Sequence, residues 1–158
     1  MVSRHCATIR RSVGVNLKLH LGAIDIPYGE GEATTGEVAA ILEGKYRIMQ
    51  TFFDRHGEDI AQLMSNDLAA GLENIMAGVP LPSEPFAESM SQVHHLFVAF
   101  LDNAEMDGVA GVPTARALRG ISRRFKSKRG DPRPSFIDTG LFQASMRAWV
   151  SEVVNAFP

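Results

Sequence analysis

The chain has 158 residues, 45% of them hydrophobic and 22% charged, which suits one packed core, is too apolar for wholesale disorder and is short for two independent domains. A single cysteine, Cys6, excludes an intrachain disulfide and removes the ligands of cysteine-based zinc sites. The net charge of −2 conceals a segregation: Thr34 to Gly108 carries twelve acidic residues against three basic ones, whereas Arg116 to Arg133 carries eight basic residues against Asp131 alone.

Met1 to Val13 contains Arg4, Arg10 and Arg11 but no apolar run of the length a signal peptide or membrane helix needs. Residues 1–14 therefore read as a flexible arm, residues 15–158 as a single domain, and the protein as cytoplasmic. Val15, Leu17, Leu19 and Leu21 alternate with Asn16, Lys18 and His20, the period of a strand with one face on the core and His20 on the solvent side. Gly22 is expected to interrupt this strand, with Ala23 to Ile26 continuing it after a bulge.

Thr34 and Glu37 stand at capping-box spacing and predict a helix start. Val38, Ile41, Leu42, Ile48, Met49, Phe52 and Phe53 follow at helical spacing, and Gly57 is expected to end that helix. A second helix is predicted through Ile60, Leu63, Met64, Leu68, Leu72, Ile75 and Met76, stopping at Gly78-Val-Pro-Leu-Pro82. The Met and Phe stripes of both are read as core in preference to the walls of a ligand pocket. Ser83 is the expected N-cap of a third helix, with Pro85 in its first turn and Met90, Val93, Leu96, Phe97, Phe100 and Leu101 on its apolar face. His94 and His95 are adjacent and point about a hundred degrees apart, so they do not read as a metal-gripping pair.

Pro113-Thr114 marks another helix start. Ala117, Leu118, Ile121 and Phe125 form its expected buried stripe, with Arg116, Arg119, Arg123 and Arg124 around the rest. Gly130, Pro132 and Pro134 carry the basic surface onto a loop with Lys126, Lys128, Arg129 and Arg133. Phe136-Ile137 return to the core. Thr139-Gly140 form a turn, and Ala144, Met146, Ala148 and Val150 alternate with polar Ser145 and Arg147, so Leu141 to Val150 fit a helical turn leading to a strand, though periodicity alone does not decide between helix and strand there. Together these elements predict an α+β fold: a helix-rich single domain with a small antiparallel sheet formed by the N-terminal strand and the C-terminal segment.

Motifs with chemical meaning are few. Asp138-Thr139-Gly140 has the letters of an aspartic-protease triplet, which would share a proton across a homodimer. The structural reading, a capped turn in which Gly140 supplies an unusual backbone angle, is favoured in a largely helical chain. Arg129-Gly130-Asp131 reads as a chance tripeptide. There is no phosphate-binding loop and no nucleophile elbow around Ser145, and Gly29-x-Gly31 lacks a dinucleotide fingerprint, so no cofactor, metal or catalytic residue is assigned. The eight cations require an anionic counterpart. An acidic protein surface is preferred over sequence-independent phosphate contact, because base-stacking aromatics are not interleaved among them.

Pro134-Ser-Phe-Ile-Asp-Thr-Gly-Leu-Phe-Gln-Ala-Ser145 resembles the motif of the tail-completion, or neck, proteins of tailed bacteriophages and prophages, in which a short loop leads into Thr-Gly-x-Leu-x-x-Ser and a closing strand. Thr139, Gly140 and Ser145 match, and Phe142 replaces the leucine. The resemblance implies a non-enzymatic structural virion protein, assembled in the bacterial host cytoplasm. It would form a homo-oligomeric, hexameric ring at the head–tail neck or tail end, joining the capsid connector to tail-tube or terminator proteins around the genome's path. It further implies that Arg116, Arg119, Arg123, Arg124, Lys126, Lys128, Arg129 and Arg133 meet a neighbouring subunit or contact genomic DNA non-specifically. Asp138, Thr139, Gly140 and Ser145 would shape the motif, and Phe142 and Trp149 would anchor it in the core.

Overall fold

The structure is a computed structural model that describes residues 5–9, 16–29, 33–121, 131–137 and 140–153. The alternation around Leu19 builds the centre of the sheet. Strand β2 (Asn16–Ala23) lies between β1 (His5–Ile9) and β3 (Met146–Val153), and both pairings are antiparallel. Leu19 and Leu21 are buried on the face that meets the helices. The fold class is α+β, as the pattern of elements predicts.

Two expectations for this region are corrected. His5–Ile9, assigned to a flexible arm, pair with Leu17–Leu21 and occupy the edge of β2 that β3 leaves open, where unpaired backbone groups favour another strand. Gly22 does not interrupt β2: the register with β3 runs unbroken from Asn16↔Val153 to Ala23↔Met146, with Gly22 opposite Arg147. After β2 the chain turns through a bridge between Pro27 and Thr34. The buried Thr35 hydroxyl stitches this turn to the sheet, donating to the Ile24 carbonyl and accepting from Ile26 N–H.

Helix α1 (Thr35–Tyr46) starts at the capping box foreseen in Thr34 and Glu37, with both reciprocal bonds formed. Its end is elsewhere than expected. Arg47 takes φ 52 and ψ 48, and helix α2 (Ile48–Met76) begins directly after it and passes straight through Gly57. The Glu43 carboxylate reaches across this break to accept from Met49 N–H at 2.7 Å in a buried setting. Glycine in a helix interior costs about 1 kcal/mol, and the full burial of Phe52 and Ile60 on either side of Gly57 outweighs it.

Helix α3 (Ala87–Asp102) runs antiparallel to α2 and covers the sheet. Phe52 meets Phe97 edge-on, with centroids 5.2 Å apart and planes at 88°, and Phe100 lies 5.5 Å from Phe52. Such pairs add roughly 0.5–1.5 kcal/mol beyond area burial. Phe52, Phe97, Phe100, Ile60, Val93 and Met146 form the centre of the core. Ser83 is not the N-cap of α3. That position falls to Phe86, which makes no side-chain cap bond, and Asp67 of α2 instead accepts from Ser89 N–H at 3.0 Å. The far end is clipped by His56, whose Nε2 lies 3.0 Å from a Glu105 carboxylate oxygen, while Arg55 donates to the Glu105 carbonyl.

The second half of α2 departs most from expectation. Leu72, Ile75 and Met76, read as core from their spacing, are 61%, 55% and 87% exposed. The stripe is present, but α3 begins only at Ala87, beside Asp67, and does not extend over them.

Candidate functional site

The C-terminal motif is assembled on three supports. Thr114 caps helix α4 (Ala115–Leu118), its hydroxyl accepting from Ala117 N–H at 3.2 Å. Its own N–H donates to the buried Ser135 hydroxyl at 3.0 Å, which brings the returning loop alongside α4. Arg133 tightens the same joint: its N–H donates to the Ala117 carbonyl at 3.2 Å and its guanidinium to the Ile121 carbonyl, also at 3.2 Å. Helix α4 ends at Leu118 and Gly120 beyond it adopts φ 58; Phe125, expected on the buried stripe of this helix, lies outside the described residues. Ala117 is buried as foreseen, Ile121 half-buried, and Leu118 56% exposed.

Gly140 opens the next element with φ 74, the left-handed angle expected of it. Helix α5 (Leu141–Ser145) follows and feeds directly into β3, a helical turn leading to a strand. Phe142 is 5% exposed, with its ring 6.1 Å from Phe97. The Ser145 hydroxyl is buried and donates to the Phe142 carbonyl at 2.8 Å. Gln143, which the sequence reading does not single out, fastens α5 to the end of α3 by donating to the Asp102 carboxylate at 2.9 Å. Below it, His94 Nδ1 bonds the Met146 carbonyl at 3.0 Å. Burial lowers the His94 pKa; the Met146 bond partly offsets this, and the charges of Arg147 and His95 add to the lowering.

Trp149 is corrected. It does not anchor the motif in the core but stands 41% exposed on the outer face of the sheet. Side-chain parity explains this: Met146, Ala148 and Val150 point to the helices, so Arg147 and Trp149 point away. Of the basic residues, Arg116 and Arg119 are exposed and Arg133 is engaged in the joint just described. Arg123, Arg124, Lys126, Lys128, Arg129, Asp138 and Thr139 lie outside the described residues.

Between α1, α4 and the motif lies an open cleft of about 590 Å³. Val38, Leu42 and Tyr46 form its α1 wall, and Ala117, Phe136 and Phe142 its opposite side, while Lys45, Arg116 and Arg133 place positive charge along it. Tyr46 and Phe136 touch at its base with ring centroids 5.0 Å apart. No local signal marks this cleft in the sequence, because its two walls are some seventy residues apart and the wall opposite α1 is itself assembled by the Thr114–Ser135 bond. A smaller depression of about 220 Å³ on the other side of α1 is lined in part by Asp25 and Glu43. Hydrogen bonds from Thr34 and from Gly36 N–H hold the Asp25 carboxyl below its ordinary pKa.

Among the described residues, no cluster of three His, Cys, Asp or Glu side chains is placed to hold a metal ion, and no helix is long and apolar enough to cross a membrane. The cleft offers an apolar floor with fixed cations, which suits binding of an apolar, acidic protein surface. Compared with protein-family models, curated proteins and solved structures, the chain matches none.

Proposed function

We propose that this chain is a non-enzymatic structural virion protein of a tailed phage, one that forms a ring at the head–tail neck or tail end and joins the tail to the capsid connector. The observation that carries this reading is the motif itself: Gly140 with φ 74 starts a one-turn helix that buries Phe142 and Ser145 and passes without a linker into the closing strand β3. Charge segregation supports the same reading, since an acidic body and a basic end complement each other between neighbouring copies. The test is electron microscopy of the purified protein together with its search in purified virions. Rings and virion incorporation are the expected result, and a strict monomer absent from particles overturns the reading. Portal, capsid and tail genes beside its own would be the expected genomic setting.

A second reading, sequence-independent binding of nucleic acid, draws on Arg116 in the short helix α4 and Arg119 at its C-cap, both exposed. It predicts DNA affinity that falls steeply with added salt.

A further inference from the structure

The apolar stripe of α2 continues after its cover ends. Ser89 N–H meets the Asp67 carboxylate at 3.0 Å near the start of α3. Residues Leu68–Met76 therefore run on beyond that point, roughly 14 Å of helix at 1.5 Å per residue. Leu72, Ile75 and Met76 share one face by their spacing and are 61%, 55% and 87% exposed. The loop that follows adds Val79 and Leu81, each about half exposed. Together they leave open an apolar surface on the order of 500 Å², near the upper limit for a monomer with no use for it. That is more than half of the roughly 800 Å² each partner contributes to a standard interface.

Charge decides what can cover it. Glu73 stands between Leu72 and Ile75 and Glu84 and Glu88 follow the loop in sequence, all three exposed, and the sequence holds no Lys or Arg between Arg55 and Arg116. Two such tips would set acid against acid, which disfavours a symmetric tip-to-tip contact. The complementary surface is on the same chain: the cleft between α1 and α4 has an apolar floor and carries Lys45 and Arg116. A single copy cannot bring the two together, because α2 separates them by its full length, roughly 43 Å.

We propose that the α2 tip of one copy inserts Leu72, Ile75 and Met76 into the α1–α4 cleft of the next, with Glu73 meeting Lys45 and Arg116. This inference rests on the ring reading and supplies its subunit contact. Each copy presents one tip and one cleft, so the contact is heterologous and propagates until rotation closes it.

The experiment is sedimentation of the full chain and two variants, Met76→Asp and the double variant Lys45→Glu/Arg116→Glu. Every substituted side chain is exposed, and circular dichroism melts verify folding. Wild type is expected to assemble and each variant to be monomeric. An equimolar mixture of the two variants is expected to give a heterodimer and nothing larger, because it holds one intact tip and one intact cleft. Wild type that stays monomeric, a Met76→Asp variant that still assembles, or a double variant that self-associates through its tips would each overturn the proposal. Virion incorporation tests the neck reading separately: rings in particles that persist in Met76→Asp remove this contact and leave that reading standing.

Discussion

Trp149 lies flat on His20, the ring centroids 5.2 Å apart and the planes 5° from parallel, on the sheet face turned away from the helices. The two are direct partners across β2 and β3, and His20 Nε2 also meets the Ser151 hydroxyl at 2.8 Å. A cross-strand pair on a solvent face stabilises register more than it stabilises the core. Trp149→Ala should therefore cost only about 1 kcal/mol. Phe142→Ala, which empties a core site 5% exposed, should cost about 3–5 kcal/mol. Urea unfolding followed by circular dichroism measures both; equal losses would place the tryptophan among the structural anchors.

Around α4 one arginine, Arg133, holds the fold, while Arg116 and Arg119 face outward. Arg133 donates to the Ile121 and Ala117 carbonyls and so closes the end of α4. Arg133→Ala keeps the backbone bond to Ala117 and loses the guanidinium bond to Ile121, so it should remove about 1.5–3 kcal/mol of local stability, the range for a charge-assisted bond. It should also speed amide exchange at Arg119, Gly120 and Ile121, whose N–H groups donate within that turn. Arg116→Ala and Arg119→Ala, at exposed positions, should leave stability within about 0.5 kcal/mol of wild type. Exchange rates unchanged in Arg133→Ala would contradict this division.

What the sequence reveals and what it hides follow from the range of the interaction involved. The capping box at Thr34, the period-two run around Leu19 and the stripe from Met90 to Leu101 are each decided within a few residues, and each is where the pattern puts it. The helix break is as local but carries no mark in composition or period. Gly57 is the residue that propensity would choose, but the break falls at Arg47 because the Glu43 side chain supplies Met49 N–H with an acceptor. Leu72, Ile75 and Met76 show a different limit: periodicity identifies an apolar face and is silent about how far the next helix extends over it. Trp149 is misplaced for another reason: its size suggests an anchor, whereas it shares parity with Arg147 and is opposite to Met146, Ala148 and Val150, which puts it on the outer face. The far wall of the cleft depends on the pairing of Thr114 N–H with the Ser135 hydroxyl, 21 positions away, which no periodic pattern marks.

His94 gives the fold a pH dependence of known sign. Burial holds its folded pKa below the ordinary 6.5, and the neutral ring serves the Met146 carbonyl. Between those two values the unfolded chain binds more protons than the folded one, so stability declines as pH falls below about 6.5 and levels off once the folded ring also titrates. Nearby Arg147 and His95 are both of the sign that opposes protonation. Urea midpoints measured from pH 7.5 to 5 should decline in wild type and decline less in His94→Gln. Parallel slopes for the two proteins would assign the dependence to other groups.

The junction of α1 and α2 carries strain and its remedy side by side. Arg47 holds φ 52 and ψ 48, a conformation that costs a residue with a Cβ roughly 1 kcal/mol and glycine almost nothing. Its N–H donates to the Glu43 carbonyl at 2.9 Å, a bond that any residue with a backbone N–H retains. Arg47→Gly should therefore raise stability only slightly, by about 0–0.5 kcal/mol once the entropy glycine adds to the unfolded chain is set against the relief. Glu43→Ala should do the reverse. It leaves the buried Met49 N–H without its 2.7 Å acceptor, a loss of about 1–3 kcal/mol, and the void of a side chain 3% exposed adds to that. If the carboxylate is what fixes the break, the two effects are coupled. In the Glu43→Ala background the kink loses its acceptor, and Arg47→Gly should gain less than it does alone. A double-mutant cycle by urea unfolding checks this, and strict additivity would show that Arg47 sets the break independently of Glu43.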